Sequence, residues 1–148
     1  MTYMENIFIC MASPLLIAAL CMGKRHTGAF LFCLAGMGMC LLSAYLNTFL
    51  AALYGADAFA ATVEIAPVVE GMKLLPLLFY LLVFEPQARQ IGIAAVITAL
   101  SFATFENICY LIQNGAAHFS FIFFRGIGTG AMHVICGAIV GGGLAYVW

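Results

Sequence analysis

Charge is what this chain has least of. Lys, Arg, Asp and Glu together make up 7% of its 148 residues, against ~25% in an ordinary soluble domain. Five basic residues and a formal net charge of −1 leave no basic surface for nucleic acid. No H-E-x-x-H and no C-x-x-C occurs, so neither of those zinc signatures is present. The six cysteines stand singly inside apolar runs (Cys10, Cys21, Cys33, Cys40, Cys109 and Cys136) and read as small buried hydrophobes. No internal repeat, low-complexity tail or soluble domain is visible.

Apolar residues are what the chain has instead: 66% of the sequence, with a mean hydropathy of +1.13. This excludes disorder and a water-soluble enzyme and predicts an all-α, polytopic membrane bundle. Five apolar stretches run near residues 4–22, 28–53, 61–84, 91–113 and 120–147, in a single transmembrane domain covering 1–148. The first does not read as a signal peptide, because Glu5 stands where a basic n-region belongs and the positive charges follow the apolar run. Lys24, Arg25 and Arg89 fall in the first and third breaks, whereas the second and fourth hold no Lys or Arg. The positive-inside rule then puts the N-terminus outside and the C-terminus in the cytoplasm. Glycines crowd the last stretch, and Gly126/Gly130 and Gly137/Gly141 are small-x-x-x-small pairs suited to close helix packing.

The polar residues that interrupt the apolar runs carry the chemistry. An ionisable group at mid-bilayer costs ~2.5–3.5 kcal/mol on insertion scales, so it generally faces the bundle interior and has a partner. Glu64, Glu70 and Lys73 lie in the third stretch, Glu106 and Asn107 in the fourth, Arg125 and His133 in the fifth. A rise of ~1.5 Å per residue brings Glu70, Lys73, Glu106, Arg125 and His133 to overlapping depths of ~8–20 Å below the outer surface. Glu70 and Lys73 are spaced i,i+3 and can pair; Phe102 and Glu106 are i,i+4 on one face. Pro67 and Pro76 flank the Glu70–Lys73 turn and each frees a helix carbonyl, a break that membrane helices accept beside a cavity. Each residue alone also suits a blander role: Glu70–Lys73 a structural pair, His133 a satisfied core histidine, Asn107 interhelical glue, Glu64 and Arg125 interfacial groups. Glu70, Glu106 and His133 on three successive stretches are the constellation that points to a shared buried site.

APVVEGMKLLP, SFATFENICYL and then Arg125 and His133 with glycines following resemble the motifs of the PrsW family of intramembrane proteases. That family is marked by E-E-x-x-K, F-x-x-x-E-N and a later histidine, and shares a superfamily with the type II CAAX prenyl endopeptidases and the gamma-secretase scaffold subunit. F-x-x-x-E-N is intact as Phe102, Glu106 and Asn107. Anchored on Lys73, the paired glutamates fall on Val69 and Glu70; anchored on Pro67, they fall on Glu70 and Gly71 with the lysine one residue early. Either way one carboxylate of the pair is missing.

The resemblance implies hydrolysis of a peptide bond in a membrane-protein substrate, a single-span protein by expectation, in the outer half of a bacterial plasma membrane. Glu70, alone or with Glu106, would deprotonate the water, and Lys73 would keep the carboxylate ionisable. His133 and Asn107 would donate to the oxyanion. A divalent metal such as zinc, held by Glu70, Glu106 and His133, is the alternative to a metal-free mechanism. Two other readings compete: a silent scaffold that grips partner transmembrane helices, favoured by the missing glutamate, and a small proton-coupled carrier built on the same buried groups.

Overall fold

The computed structural model describes residue 8 and residues 24–54, 66–114 and 119–148. The rest of the first apolar stretch, Cys10, Cys21, Glu64 and the break around Asp57 lie outside the described residues. Five helices follow in order: α1 (Lys24–Tyr54), α2 (Ala66–Met72), α3 (Leu74–Phe84), α4 (Ala88–Asn114) and α5 (Phe119–Val147). No strand occurs among the described residues. Within α1, α4 and α5, the segments Thr27–Leu53, Ala88–Gln113 and Ser120–Val147 are long and apolar enough to cross a membrane, which takes ~20 residues.

The third apolar stretch is not one helix. It breaks at Lys73, between seven residues of α2 and eleven of α3. The cause is local: Pro76 has no N–H to give to the carbonyl of Met72, and its ring crowds that carbonyl. The Lys73 amide instead donates to the Glu70 carbonyl at 3.3 Å, a tighter i,i+3 turn. Glu85 closes α3 in the left-handed region (φ 46°), donating its N–H to Leu81, and Pro86 prevents any continuation. The Gln87 N–H is then capped by the side chain of Gln90, which starts α4.

The central element is α4: half of its spanning segment is buried, against 22% for α1 and 11% for α5. Helix α1 packs along it in parallel, with Gly36 against Thr98 and Ser101, and with Met37 and Cys40 against Phe102, Phe105 and Cys109. Phe8, the described residue of the first stretch, sets its ring edge-on against Phe105 at 5.9 Å. Helix α5 runs antiparallel to α4: Gly141 lies on Ala95 and Gly92, Gly137 on Ala99, and further along His133 meets Glu106. Gly126 and Gly130, the other small-x-x-x-small pair, face open space. Helix α3 lays Leu77 on Ala94 and Ala95, opposite in direction to α4. The first turns of α1 and α4, which carry Lys24, Arg25 and Arg89, therefore lie at one end of the bundle. Large apolar side chains cover the outside, among them Phe49, Phe79, Leu82, Phe124 and Ile139, as suits a surface facing lipid. The chain is an integral membrane bundle. Of the cysteines, Cys40 and Cys109 are buried as expected, whereas Cys33 is half-buried and Cys136 on α5 is exposed.

Candidate active site

The break in the third stretch aims Lys73 into the bundle. Its side chain is 10% exposed, and its ammonium donates to both carboxylate oxygens of Glu70, each at 2.7 Å. The same ammonium contacts Nδ1 of His133 and lies 4.5 Å from the centre of the Phe102 ring. His133, on α5, is 4% exposed in its side chain, and its ring stacks at a tilt on Phe102, 5.4 Å between centroids. Its other nitrogen, Nε2, lies 2.8 Å from Glu106 Oε2 on α4. Arg125, also on α5, brings Nη2 to 3.6 Å from Glu106 Oε1, and its Cζ lies over the Tyr110 ring, 3.6 Å from the ring centre.

These contacts form one continuous chain: Glu70, Lys73, His133, Glu106, Arg125. Its polarity is fixed by what each group can do. An ammonium only donates, so His133 Nδ1 accepts and the proton of the neutral ring belongs on Nε2, where it is donated to Glu106. With a neutral imidazole the two carboxylates balance the two cations. That balance is what allows four ionisable groups to share a low-dielectric interior, where an uncompensated charge is costly.

Two spaces adjoin the two ends of this series of contacts. One, of about 220 Å³ between α1, α4 and α5, is lined by Glu106, Arg125, Asn47, Ser43 and Gln113 together with Phe102 and Phe105. The other, of about 370 Å³, is lined by Glu70 and Lys73 and otherwise mainly by apolar or small residues such as Leu77, Ala99, Cys136 and Val140. The carboxylates face these spaces, with side-chain exposures of 43% for Glu70 and 37% for Glu106.

Of the residues singled out in the sequence, Glu70, Lys73, Glu106 and His133 come together, with Phe102 as their floor. Asn107 does not join them. One residue on from Glu106, it points around α4 to a separate space of about 60 Å³ bounded by Arg125, Tyr110 and Gly126. Arg125, read in the sequence as an interfacial group, is bound into the chain through Glu106. Asn47 had no part in the sequence reading, and a lone amide in the run AYLNTFL was its only signal.

The donor set bears on whether a metal suits the site. The two oxygens of Glu70 and Nδ1 of His133 converge on the Lys73 ammonium, which takes the place an ion would need. Nε2 of His133 and Oε2 of Glu106 are 2.8 Å apart, hydrogen-bonded to each other and closer than the ~3.3 Å implied by ~2.0 Å bonds to one tetrahedral zinc. No three His, Cys, Asp or Glu side chains among the described residues are arranged to hold an ion. The residues fit an ammonium and an imidazole linking two carboxylates in series, and not a metal.

No curated protein and no solved structure matches the chain. The family model described as PrsW family intramembrane metalloprotease matches residues 23–148, which take in α1 to α5 and every member of the ionic chain. This chain belongs to the PrsW family of intramembrane proteases.

Proposed function

We propose that the chain is an endopeptidase that cleaves membrane-protein substrates in the outer half of the bilayer, using water activated by glutamate. The observation that carries this reading is the hydrogen-bonded sequence Glu70–Lys73–His133–Glu106, supplied by three parts of the chain and flanked by a polar and an apolar space.

Three of the four carboxylate oxygens are engaged at hydrogen-bond distance: both of Glu70 by Lys73, and Oε2 of Glu106 by His133. Among the described residues, Oε1 of Glu106 has only the looser 3.6 Å approach of Arg125, so it keeps its capacity to take a proton. In the reaction, a water O–H bond breaks toward Oε1 while the oxygen forms a bond to the peptide carbonyl carbon. As the C–N bond breaks, Glu106 returns that proton to the leaving amine. His133 holds Oε2 and so aims Oε1. Lys73 holds the imidazole in the tautomer that can do this, and Glu70 anchors Lys73. The Arg125 guanidinium lies beside the place where negative charge develops on the carbonyl oxygen. Asn107 lines a separate space with Arg125 and takes no step in this reaction. The mechanism routes no step through a metal, because the donors are committed to one another.

A second reading has its own observation. Val69 stands where the family motif has a glutamate, which favours a silent scaffold that grips transmembrane helices. Purified protein in liposomes with a panel of single-span substrates separates the two. Cleavage is expected, and Glu106→Gln and His133→Ala should each lower it by ~100- to 10,000-fold without loss of folded protein. Near-normal activity in both variants on a verified substrate would remove the catalytic assignment, and no cleavage by the parent chain would favour the scaffold.

A further inference from the structure

Asn47 stands on α1, about two turns before the helix ends, in an otherwise apolar run. Its Oδ1 is buried and has no hydrogen-bond partner among the described residues. A buried amide oxygen left in this way is costly, and such groups in folded proteins are generally satisfied by protein or by ordered water. Its neighbours narrow the choice. Ser43, one turn earlier, gives its hydroxyl proton to the Cys40 carbonyl at 2.8 Å. Glu106, across the space, offers only acceptor oxygens when ionised. Asn47 and Glu106 line the same space of about 220 Å³, large enough for several waters at ~30 Å³ each.

We infer that Asn47 holds the attacking water against Glu106. This rests on the peptidase reading above and adds a residue from a helix that none of the matched motifs touch. The chemistry needs two acceptors. A water that donates one proton to Glu106 Oε1 and the other to Asn47 Oδ1 has its lone pairs directed away from both, toward an incoming carbonyl carbon. The proton on the Glu106 side is the one transferred. The proton on the Asn47 side stays on the oxygen, becomes the hydroxyl of the new carboxylic acid and ionises afterwards. An amide is suited to this post, since it accepts a hydrogen bond without competing for the proton as a second carboxylate would. The parallel pairing of α1 with α4 brings Asn47 and Glu106 to the same space. Gly36 lets the helices approach until its Cα lies on the backbone of Thr98, and Asn47 follows three turns along the same parallel contact.

The test compares Asn47→Leu, which removes the acceptor at similar volume, with Asn47→Gln, which keeps a carbonyl oxygen on a longer arm. On a cleaved substrate in liposomes, Asn47→Leu should lower kcat by ~100-fold with KM nearly unchanged, and Asn47→Gln should recover at least ~10-fold of that loss. Unchanged kcat in Asn47→Leu overturns the assignment, and so does an equal loss in Asn47→Gln. A second readout needs no substrate. In X-ray footprinting, a water bound beside a thiol becomes hydroxyl radical in place and oxidises that thiol promptly. Cys40 and Cys109 line the same space, and Cys136 lies outside it. Prompt oxidation of the first two should fall several-fold in Asn47→Leu while that of Cys136 holds, and equal yields overturn the proposal. If the parent chain cleaves nothing, the peptidase reading fails on its own and the footprint still decides whether Asn47 holds water.

Discussion

Lys73 has more obligations than any other residue in the site. Its three N–H bonds are directed at two oxygens and one nitrogen, and the Phe102 ring lies against its remaining side. Removing it strands a carboxylate and frees a histidine nitrogen at the same time. Breaking a fully buried pair costs ~3–5 kcal/mol, but the Glu70 side chain is 43% exposed, so ~1–2 kcal/mol is expected for Lys73→Met. The double variant Lys73→Met/Glu70→Gln removes the stranded charge and should be more stable than Lys73→Met alone. Thermal unfolding in detergent measures both. If the double variant unfolds at the lower temperature, the lysine is not held there by charge pairing with Glu70.

Between helices the decisive quantity is how near two backbones can come. A Cβ added at Gly36 would meet the Thr98 carbonyl, a backbone group that cannot swing aside. At Gly130 it would meet nothing within 4 Å. Gly36→Ala should therefore destabilise the bundle by ~1–3 kcal/mol, the usual range for overpacking. Gly130→Ala should be neutral or gain up to ~1 kcal/mol from helix propensity. Equal melting temperatures for the two would show that α1 and α4 are not in close contact at Gly36. This is also where legibility from sequence ends. Glu70–Lys73 and Phe102–Glu106 were readable because a helix fixes what its own third and fourth neighbours do, and the break at Lys73 because Pro76 fixes it locally. Asn47 and Arg125 were not, because their partners depend on how far one helix slides along another. A glycine records that a close approach is allowed without saying against what: of two similar pairs on α5, Gly137/Gly141 pack and Gly126/Gly130 do not.

For the molecule as a whole, the parallel pairing of α1 and α4 puts Lys24, Arg25 and Arg89 at one end, which agrees with a cytoplasmic placement of that end. Five spans with the N-terminus outside are expected on that basis. Single cysteines on a cysteine-free background test it in intact cells: position 57 should react with an impermeant reagent and position 24 should not. The reverse pattern would invert the topology. The ionic chain has a further consequence at this scale. Its two carboxylates, ammonium and guanidinium carry no formal charge in sum, and moving a unit charge through 100 mV takes ~2.3 kcal/mol. The voltage across an energised membrane therefore does almost no work on the assembled cluster, whether it tilts, shifts depth or forms late in folding. Deleting any one of the four charged members leaves a charged site, and only then does the electrical state of the cell become a force acting on it.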